Sequence, residues 1–231
     1  MKQPIQIALD GHAGCGKSTL AHALATQYQL TLVDTGAMYR AVTLALLERD
    51  REAPIPESVD TLESVLKDIK VTFEPAESTK RAVHLNGRNV EPLIRTPEVA
   101  KWVSPVAAIP SVRQFLVKQQ QALAWARDVI LEGRDIGTVV LPKAQIKIFL
   151  TASPAIRAQR RYQELAASGK QVAIEDVLES IKRRDALDTA RSDSPLRPAE
   201  DAVILDNSDM TLEEELAWFA ARYGATIESL R

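Results

Sequence analysis

The sequence predicts an α/β fold, in which a five-stranded parallel sheet is flanked by helices and carries a small inserted lobe and a short helical lid. Three observations lead to this prediction. Short apolar runs alternate with helical patterns along most of the chain, which is typical of a parallel sheet covered on both faces. The hydrophobic content of 45% over 231 residues is enough to bury a sizeable core. Between residues 69 and 90 the pattern changes to strand-like runs broken by Asn86-Gly87, a strong hairpin signal.

The individual elements can be placed on these patterns. The predicted strands of the parallel sheet are residues 5–9, 30–33, 129–131, 146–150 and 202–205. The predicted helices are residues 17–27, 37–49, 112–126, 154–165 and 174–188. Strand-like segments at 69–73 and 82–90 predict the small antiparallel sheet of the inserted lobe.

A small and polar break at residues 166–173, containing Gly169, joins two helices rich in arginine. This break fits a mobile lid, although an ordinary turn between two helices has the same pattern. We therefore expect one folded unit with a core of residues 1–35, 104–156 and 174–231, an insert of about residues 36–103 and a lid of about residues 157–173.

Composition excludes several classes of partner. The net charge of −2 lacks the basic excess of a protein that binds DNA or RNA polymers. No apolar stretch approaches the roughly 18 residues needed to span a bilayer, and no apolar signal core follows a charged leader. The single cysteine, Cys15, excludes an intrachain disulfide framework and fits a reducing compartment. We expect a cytoplasmic protein with no membrane partner, and a monomer because no exposed apolar stripe is evident.

A glycine-rich loop follows the first predicted strand and fits the pattern G-x-x-x-x-G-K-[ST] without a mismatch. Its glycines let the backbone curl so that successive N–H groups point at phosphate oxygens, and the following helix adds its positive N-terminus. In this pattern Lys17 reaches the β- and γ-phosphates, and the Ser18 hydroxyl ligates Mg²⁺. The sequence therefore predicts a P-loop NTPase core that binds ATP through Gly11, His12, Ala13, Gly14, Cys15, Gly16, Lys17, Ser18 and Thr19.

The other side chains of this loop and the histidines suggest no additional chemistry. His12 and Cys15 occupy free positions of the pattern, where we expect them to fill space. The three histidines of the chain have no metal-ligand spacing, so no zinc site is expected. No tightly bound organic cofactor is expected either, and Mg²⁺ is expected only as ATP·Mg.

The loop predicts a nucleoside triphosphate but does not specify the reaction. The D-x-x-G switch segment and the N-K-x-D guanine reader of GTPases are missing, and so is the Gly-Gly-Gly acceptor loop of shikimate-type kinases. Thymidylate kinases place Asp-Arg-Tyr or Asp-Arg-His after the third strand, where this chain has Glu132-Gly133-Arg134-Asp135.

Four further motifs, in order along nearly the whole chain, resemble those of the bacterial cytidylate kinase family. They are Asp34-Thr35-Gly36-Ala37-Met38-Tyr39-Arg40, the segments Ile94-Arg95-Thr96-Pro97-Glu98-Val99 and Ser104 with Pro110-Ser111-Val112-Arg113, then Glu132-Gly133-Arg134-Asp135-Ile136-Gly137-Thr138, and Arg184-Asp185-Ala186-Leu187-Asp188-Thr189-Ala190-Arg191. Thr35 stands where many members of the family have Ser, and Leu187 and Thr189 lack basic residues that some members carry. The resemblance implies that the insert is an acceptor-binding (NMP-binding) lobe, with CMP and dCMP as acceptors and ATP as donor.

The resemblance also implies roles for single residues. Ser104, Arg113 and Asp135 would read the cytosine edge, which offers an amine to the carboxylate and two acceptors to the guanidinium. Arg184 and Asp188 would contact the ribose. Thr35, Arg40, Arg134 and Arg191 would hold the acceptor phosphate or the transferring group. The implied catalytic set is Lys17, Arg134, Arg184 and the lid arginines Arg157 and Arg161.

The expected reaction is in-line transfer of the γ-phosphoryl group of ATP to CMP or dCMP. No general base is needed because the acceptor phosphate is already an anion at neutral pH. Two alternatives stay open at this point. One is another nucleoside monophosphate kinase, of the UMP/CMP type, and the other is a non-catalytic nucleotide sensor.

Overall fold

The computed structural model describes residues 3–73, 82–191 and 193–231. The chain divides into two compact units, the first formed by Met1–Leu32 with Leu123–Arg231 and the second by Val33–Ala122. The predicted insert of residues 36–103 includes residues 74–81, which lie outside the described residues. The boundaries that we predicted for the core, the insert and the lid remain predictions.

Eight strands and eight α-helices are described. The strands are β1 Gln6–Gly11, β2 Thr31–Asp34, β3 Val71–Phe73, β4 Val83–Leu85, β5 Arg88–Asn89, β6 Val129–Gly133, β7 Ile146–Thr151 and β8 Val203–Asp206. The helices are α1 Lys17–Gln27, α2 Thr35–Arg49, α3 Val59–Lys67, α4 Pro97–Ala107, α5 Pro110–Ala126, α6 Pro154–Ala167, α7 Ile174–Thr189 and α8 Leu212–Leu230. A single π-helical turn, Ile136–Val140, follows β6.

The predicted five-stranded parallel sheet is confirmed, with strand order β2-β6-β1-β7-β8. Strand β1 lies at its centre and pairs in parallel with β6 and β7, so that all six of its residues are buried. Its neighbours in sequence are the phosphate loop and α1. Because a parallel sheet brings the carboxyl ends of its strands to one edge, β1 and β6 end side by side, with Asp10 opposite Gly133.

Helices α1 and α8 pack together against the sheet in the first unit. Phe219 of α8 is fully buried there, and its ring lies 5.4 Å from that of Tyr28 and 5.2 Å from that of Tyr223. Helices α6 and α7 pack on each other through a smaller apolar cluster formed by Ala158, Val177 and Ile181.

The second unit combines helices with the small antiparallel sheet. Strands β3, β4 and β5 form that sheet, as predicted, and the turn between β4 and β5 has positive φ at both Asn86 and Gly87. This is the backbone conformation that the Asn-Gly pair favours in a two-residue hairpin turn. Helix α2 packs against α4 and against the sheet strand β4.

Three helices were not among the sequence predictions, namely α3, α4 and α8. Their starts nevertheless carry recognisable caps. Ser58 and Thr96 each cap a helix with the side-chain hydroxyl, and Thr211 forms a reciprocal capping box with Glu214. None of the described helices has the length and apolar character needed to cross a membrane.

Candidate active site

The phosphate loop turns between β1 and α1 as its sequence requires. Gly11 has φ +150°, and a Cβ at this position would lie 2.0 Å from the carbonyl oxygen of Leu150 on the neighbouring strand. Only glycine therefore fits at this position, where β1 ends and the loop begins. The loop ends at Gly16, whose carbonyl begins the hydrogen bonds of α1 by accepting from the Leu20 N–H at 3.0 Å.

The ammonium group of Lys17 lies inside this loop. Its Nζ donates to the carbonyl oxygen of His12 at 2.7 Å and lies 3.8 Å from the Sγ of Cys15. Burial, and then the nearby charge of Arg134, lower the pKa of Lys17 to about 8. The lysine is thus held where the loop would enclose phosphate oxygens. Its ammonium group loses its proton more readily there than in water.

Two side-chain oxygen atoms that could ligate a metal ion lie together, one in the first turn of α1 and one near the end of β6. The Ser18 hydroxyl donates to Oε2 of Glu132 at 2.8 Å, and Glu132 is buried at the end of β6. Magnesium prefers oxygen ligands and commonly takes one or two from the protein while the nucleotide phosphates supply others. This pair therefore fits a nucleotide-bound Mg²⁺. The sequence had indicated Ser18 but not Glu132, because their contact joins residues 114 positions apart.

A cluster of arginines surrounds Asp188 on α7. The Nε of Arg134 donates to Oδ2 of Asp188 at 2.9 Å, Arg191 donates to Oδ1, and the Nε of Arg184 lies 4.0 Å from Oδ2. Burial alone would raise the pKa of Asp188, which is 1% exposed, but the three guanidinium charges outweigh it and hold the pKa below its ordinary value. Three cations around one anion leave an excess of positive charge, which suits a phosphate group.

Arg134 joins this cluster to the phosphate loop. Its Nη1 donates to the carbonyl oxygen of Gly11 at 2.6 Å while its Nε holds Asp188. The next residue, Asp135, is 5% exposed and stands at the start of the π-helical turn.

The arginines of α6 differ sharply in their surroundings. Arg157 is 3% exposed and donates to Asp185 at 2.7 Å and to the carbonyl oxygens of Ala152 and Ala13 at 2.9 and 3.2 Å. Arg161 is 52% exposed on its side chain and pairs with Glu164 at 2.8 Å. In the described arrangement Arg157 is buried and bonds the phosphate loop at Ala13, whereas Arg161 lies on the surface.

His12 and Cys15, which we expected to fill space, each contact other parts of the first unit. The Nδ1 of His12 lies 3.5 Å from Oδ1 of Asp185, its ring meets the Phe149 ring edge-on at 5.6 Å, and burial lowers its pKa. Cys15 is fully buried, with its Sγ 3.0 Å from the carbonyl oxygen of His12.

A buried amide just after β8 bonds the loop. Asn207 is 1% exposed, and its Nδ2 donates to the carbonyl oxygen of Cys15 at 2.9 Å and to Oε1 of Glu215 at 2.7 Å. Its own oxygen atoms accept from Arg160 at 3.1 and 2.8 Å. Burial raises the pKa of Glu215, and the Asn207 bond opposes that shift. The side-chain amide of Asn207 thus bonds the phosphate loop, α6 and α8.

The remaining predicted site residues belong to the second unit. Thr35 is the first residue of α2 and is buried, and the preceding Asp34 caps the helix by accepting from the Ala37 N–H at 2.9 Å. Arg40, on the same helix, donates to the carbonyl oxygen of Ile94 at 3.1 Å. A helix N-terminus favours an anion, and here the Asp34 carboxylate already caps it.

The predicted base readers of this unit lie on α4 and α5. Arg113 is 3% exposed, donates to the carbonyl oxygen of Ala107 at 3.3 Å and lies with its guanidinium carbon 5.8 Å from the ring centre of Tyr39. Ser104 is half-buried in the last turns of α4.

Comparison with known proteins shows the family to which the chain belongs. The family described as Cytidylate kinase matches residues 7–221. The chain belongs to the cytidylate kinase family. A cytidylate kinase of Parabacteroides distasonis is 48% identical over 226 residues, which are 97% of this chain and 99% of that protein. That of Phocaeicola vulgatus is 46% identical over 224 residues, 96% and 98% of the two chains. That of Carboxydothermus hydrogenoformans is 44% identical over 213 residues, 92% and 94% of the two chains.

Proposed function

We propose that this protein transfers the γ-phosphoryl group of ATP to CMP or dCMP, giving CDP or dCDP and ADP. The observation that carries the proposal is the position of Arg134 in the first unit. Its guanidinium bonds both the phosphate loop at Gly11 and the arginine-surrounded carboxylate of Asp188. A donor-phosphate loop and an anion-binding cluster thus share one arginine, as transfer between two phosphates would require.

The acceptor roles follow the family resemblance. In the proposal Ser104, Arg113 and Asp135 read the cytosine edge, and uracil is rejected because its O4 would face the carboxylate in place of an amine. Asp188 accepts from the ribose hydroxyls beside its arginine bonds, since a carboxylate offers about four lone-pair positions. Arg184 also contacts the ribose.

The acceptor phosphate would be held by a second set of side chains. In the proposal these are Thr35, Arg40, Arg134 and Arg191. The excess positive charge around Asp188 supports this assignment for Arg134 and Arg191, because both guanidinium groups belong to the cluster that carries it.

Catalysis would rest on positioning and charge. The phosphate of a nucleoside monophosphate loses its second proton near pH 6, so the nucleophilic oxygen needs no base. Lys17 and the backbone N–H groups of the loop would hold the donor phosphates, and Arg134 would stabilise charge that develops on the transferring group. Ser18 and Glu132 would hold Mg²⁺, which neutralises charge on the β- and γ-phosphates when ATP is bound.

Two of the proposed catalytic side chains need a different arrangement from the one described. Arg157 is fully engaged with Asp185 and two carbonyl oxygens, and Arg161 pairs with Glu164. Their role at the transferring phosphoryl group stays a prediction that depends on movement of the proposed lid. A monomeric state and a cytoplasmic location also stay predictions.

An acceptor screen tests the proposal. ADP release would be followed with ATP·Mg²⁺ and, in separate reactions, CMP, dCMP, UMP, AMP, GMP or dTMP. Rapid turnover on CMP and dCMP is expected, and Lys17→Ala should lower kcat by at least about 10²-fold because one preorganised charge is lost. Preference for another monophosphate would overturn the base-reading assignment. ATP binding without turnover on any acceptor would favour the nucleotide sensor.

A further inference from the structure

A buried carboxylate that the proposed mechanism does not use lies at the end of β1. Asp10 directly precedes the phosphate loop and is 4% exposed. Its Oδ1 accepts from the Ile136 N–H and its Oδ2 from the Gly137 N–H, both at 2.7 Å. The aspartate thus holds two consecutive backbone amides of a segment that lies 126 residues further along the chain.

These two amides begin the π-helical turn that follows Asp135. The first N–H groups of any helical turn have no partner within the turn, and a side chain just before it commonly accepts from them. Asp135 occupies that position, but its side chain makes no such bond. Asp10, on a neighbouring strand, takes over the capping, so the Asp135 side chain is not used to cap its own turn.

The fit between Asp10 and this turn is close. At Gly137 a Cβ would lie 3.4 Å from Oδ2 of Asp10 and 3.2 Å from Cδ of Lys147, so little space remains between the turn and these two side chains. On the other side of Asp135, Arg134 is held by the carbonyl oxygen of Gly11. The last two residues of β1 therefore bond both neighbours of Asp135, Asp10 through the backbone amide of Ile136 and Gly11 through the side chain of Arg134.

We propose that Asp10 is a positioning residue for base recognition, acting by fixing the backbone that carries Asp135. This rests on the proposed function, in which Asp135 accepts from the cytosine amine. A purely structural carboxylate would affect folding stability and all acceptors alike. A positioning carboxylate affects the acceptor that depends on Asp135 more than one that does not.

A double-mutant cycle in the full-length protein separates these cases. Asp10→Asn keeps the shape but turns an amide group toward one of the two N–H donors. We expect kcat/KM for CMP to fall on the order of 10- to 100-fold, as misplacement of a binding group does, while that for UMP falls much less. In an Asp135→Ala background, the same change should cause no further loss with CMP, because the positioned group is already gone.

Control variants guard against a general loss of structure. Gln6 is on the same strand, is 5% exposed and bonds the carbonyl oxygen of Ala124 at 3.1 Å. Gln6→Ala should lower the melting temperature and leave the CMP-to-UMP ratio of kcat/KM unchanged. If Asp10→Asn does not fold, Gly137→Ala serves instead, because the added Cβ would lie between Oδ2 of Asp10, at 3.4 Å, and Cδ of Lys147, at 3.2 Å, and so alter how the turn packs on the carboxylate. It should reduce the CMP-to-UMP ratio in the same way.

The role of Asp10 and the proposed function would fail on different results. Equal losses for CMP and UMP, or losses that multiply with those of Asp135→Ala, would overturn the positioning role of Asp10. Preference of the unmodified protein for a different acceptor would instead overturn the proposed function, and that result is read from the wild-type rates alone.

Discussion

The buried position of Lys17 predicts that ATP affinity depends on pH. Burial in the phosphate loop lowers its pKa from 10.5 to about 8 in the free protein. The protonated form is the one that attracts the triphosphate, so the affinity for ATP should fall as the pH rises through 8. A lysine of ordinary pKa would lose no affinity over the same range.

The expected magnitude follows from the fraction of protein that carries the proton. About 90% of Lys17 is protonated at pH 7 and about 10% at pH 9, and the apparent dissociation constant scales inversely with this fraction. The dissociation constant for ATP should therefore rise about tenfold from pH 7 to pH 9. Isothermal titration calorimetry in the absence of an acceptor measures it directly.

Two variants identify the titrating group. Lys17→Arg keeps a charge that does not titrate in this range, so its ATP affinity, though changed in size, should stay level between pH 7 and pH 9. Cys15→Ala removes the thiol that lies 3.8 Å from Nζ and should keep the decline. A flat profile for the wild type, or the same decline in Lys17→Arg, would show that Lys17 does not lose its proton between pH 7 and pH 9.

Three further predictions follow from the site. Asp135→Ala should lower kcat/KM for CMP more than for UMP, and equal losses in steady-state assays would show that Asp135 does not read the base. Arg157→Ala should destabilise the fold by about 3 kcal/mol in urea unfolding, because it removes the partner of Asp185 and two carbonyl bonds, whereas the exposed Arg161→Ala should change stability by less than about 0.5 kcal/mol. Asp188→Asn should raise the KM for CMP, because an amide nitrogen cannot accept from the ribose hydroxyls or from the arginines that the carboxylate holds, while the ATP dissociation constant should stay within about twofold; an equal loss of ATP affinity would contradict its placement.

The sheet and the phosphate loop could be predicted because their signals are local. Buried parallel strands are continuous apolar runs, and the loop needs glycines at fixed spacing. The turn at Asn86-Gly87 was predictable for the same reason, since two adjacent residues determine it. Helix α8 also has a local signal in Thr211 and Glu214, whose capping box marks where the helix begins.

The supporting contacts of the site were not predictable, because they join residues far apart in sequence. Asp10 bonds residue 136, Ser18 bonds Glu132, and Asn207 bonds the loop at Cys15 across 192 positions. A carboxylate or amide at a strand end carries no sign of its partner until the sheet brings the strands together. The buried state of Arg157 was hidden for the same reason, since its partner Asp185 lies on the next helix.

In the proposed function this protein phosphorylates CMP in preference to other monophosphates. A competition reaction tests it most directly, with ATP·Mg²⁺ and equal concentrations of CMP and UMP in one tube and with CDP and UDP separated by ion-exchange chromatography at low conversion. The product ratio equals the ratio of the two kcat/KM values, and we predict CDP in excess by on the order of 100-fold or more. Comparable amounts of CDP and UDP, or an excess of UDP, would show that the protein does not select cytosine over uracil.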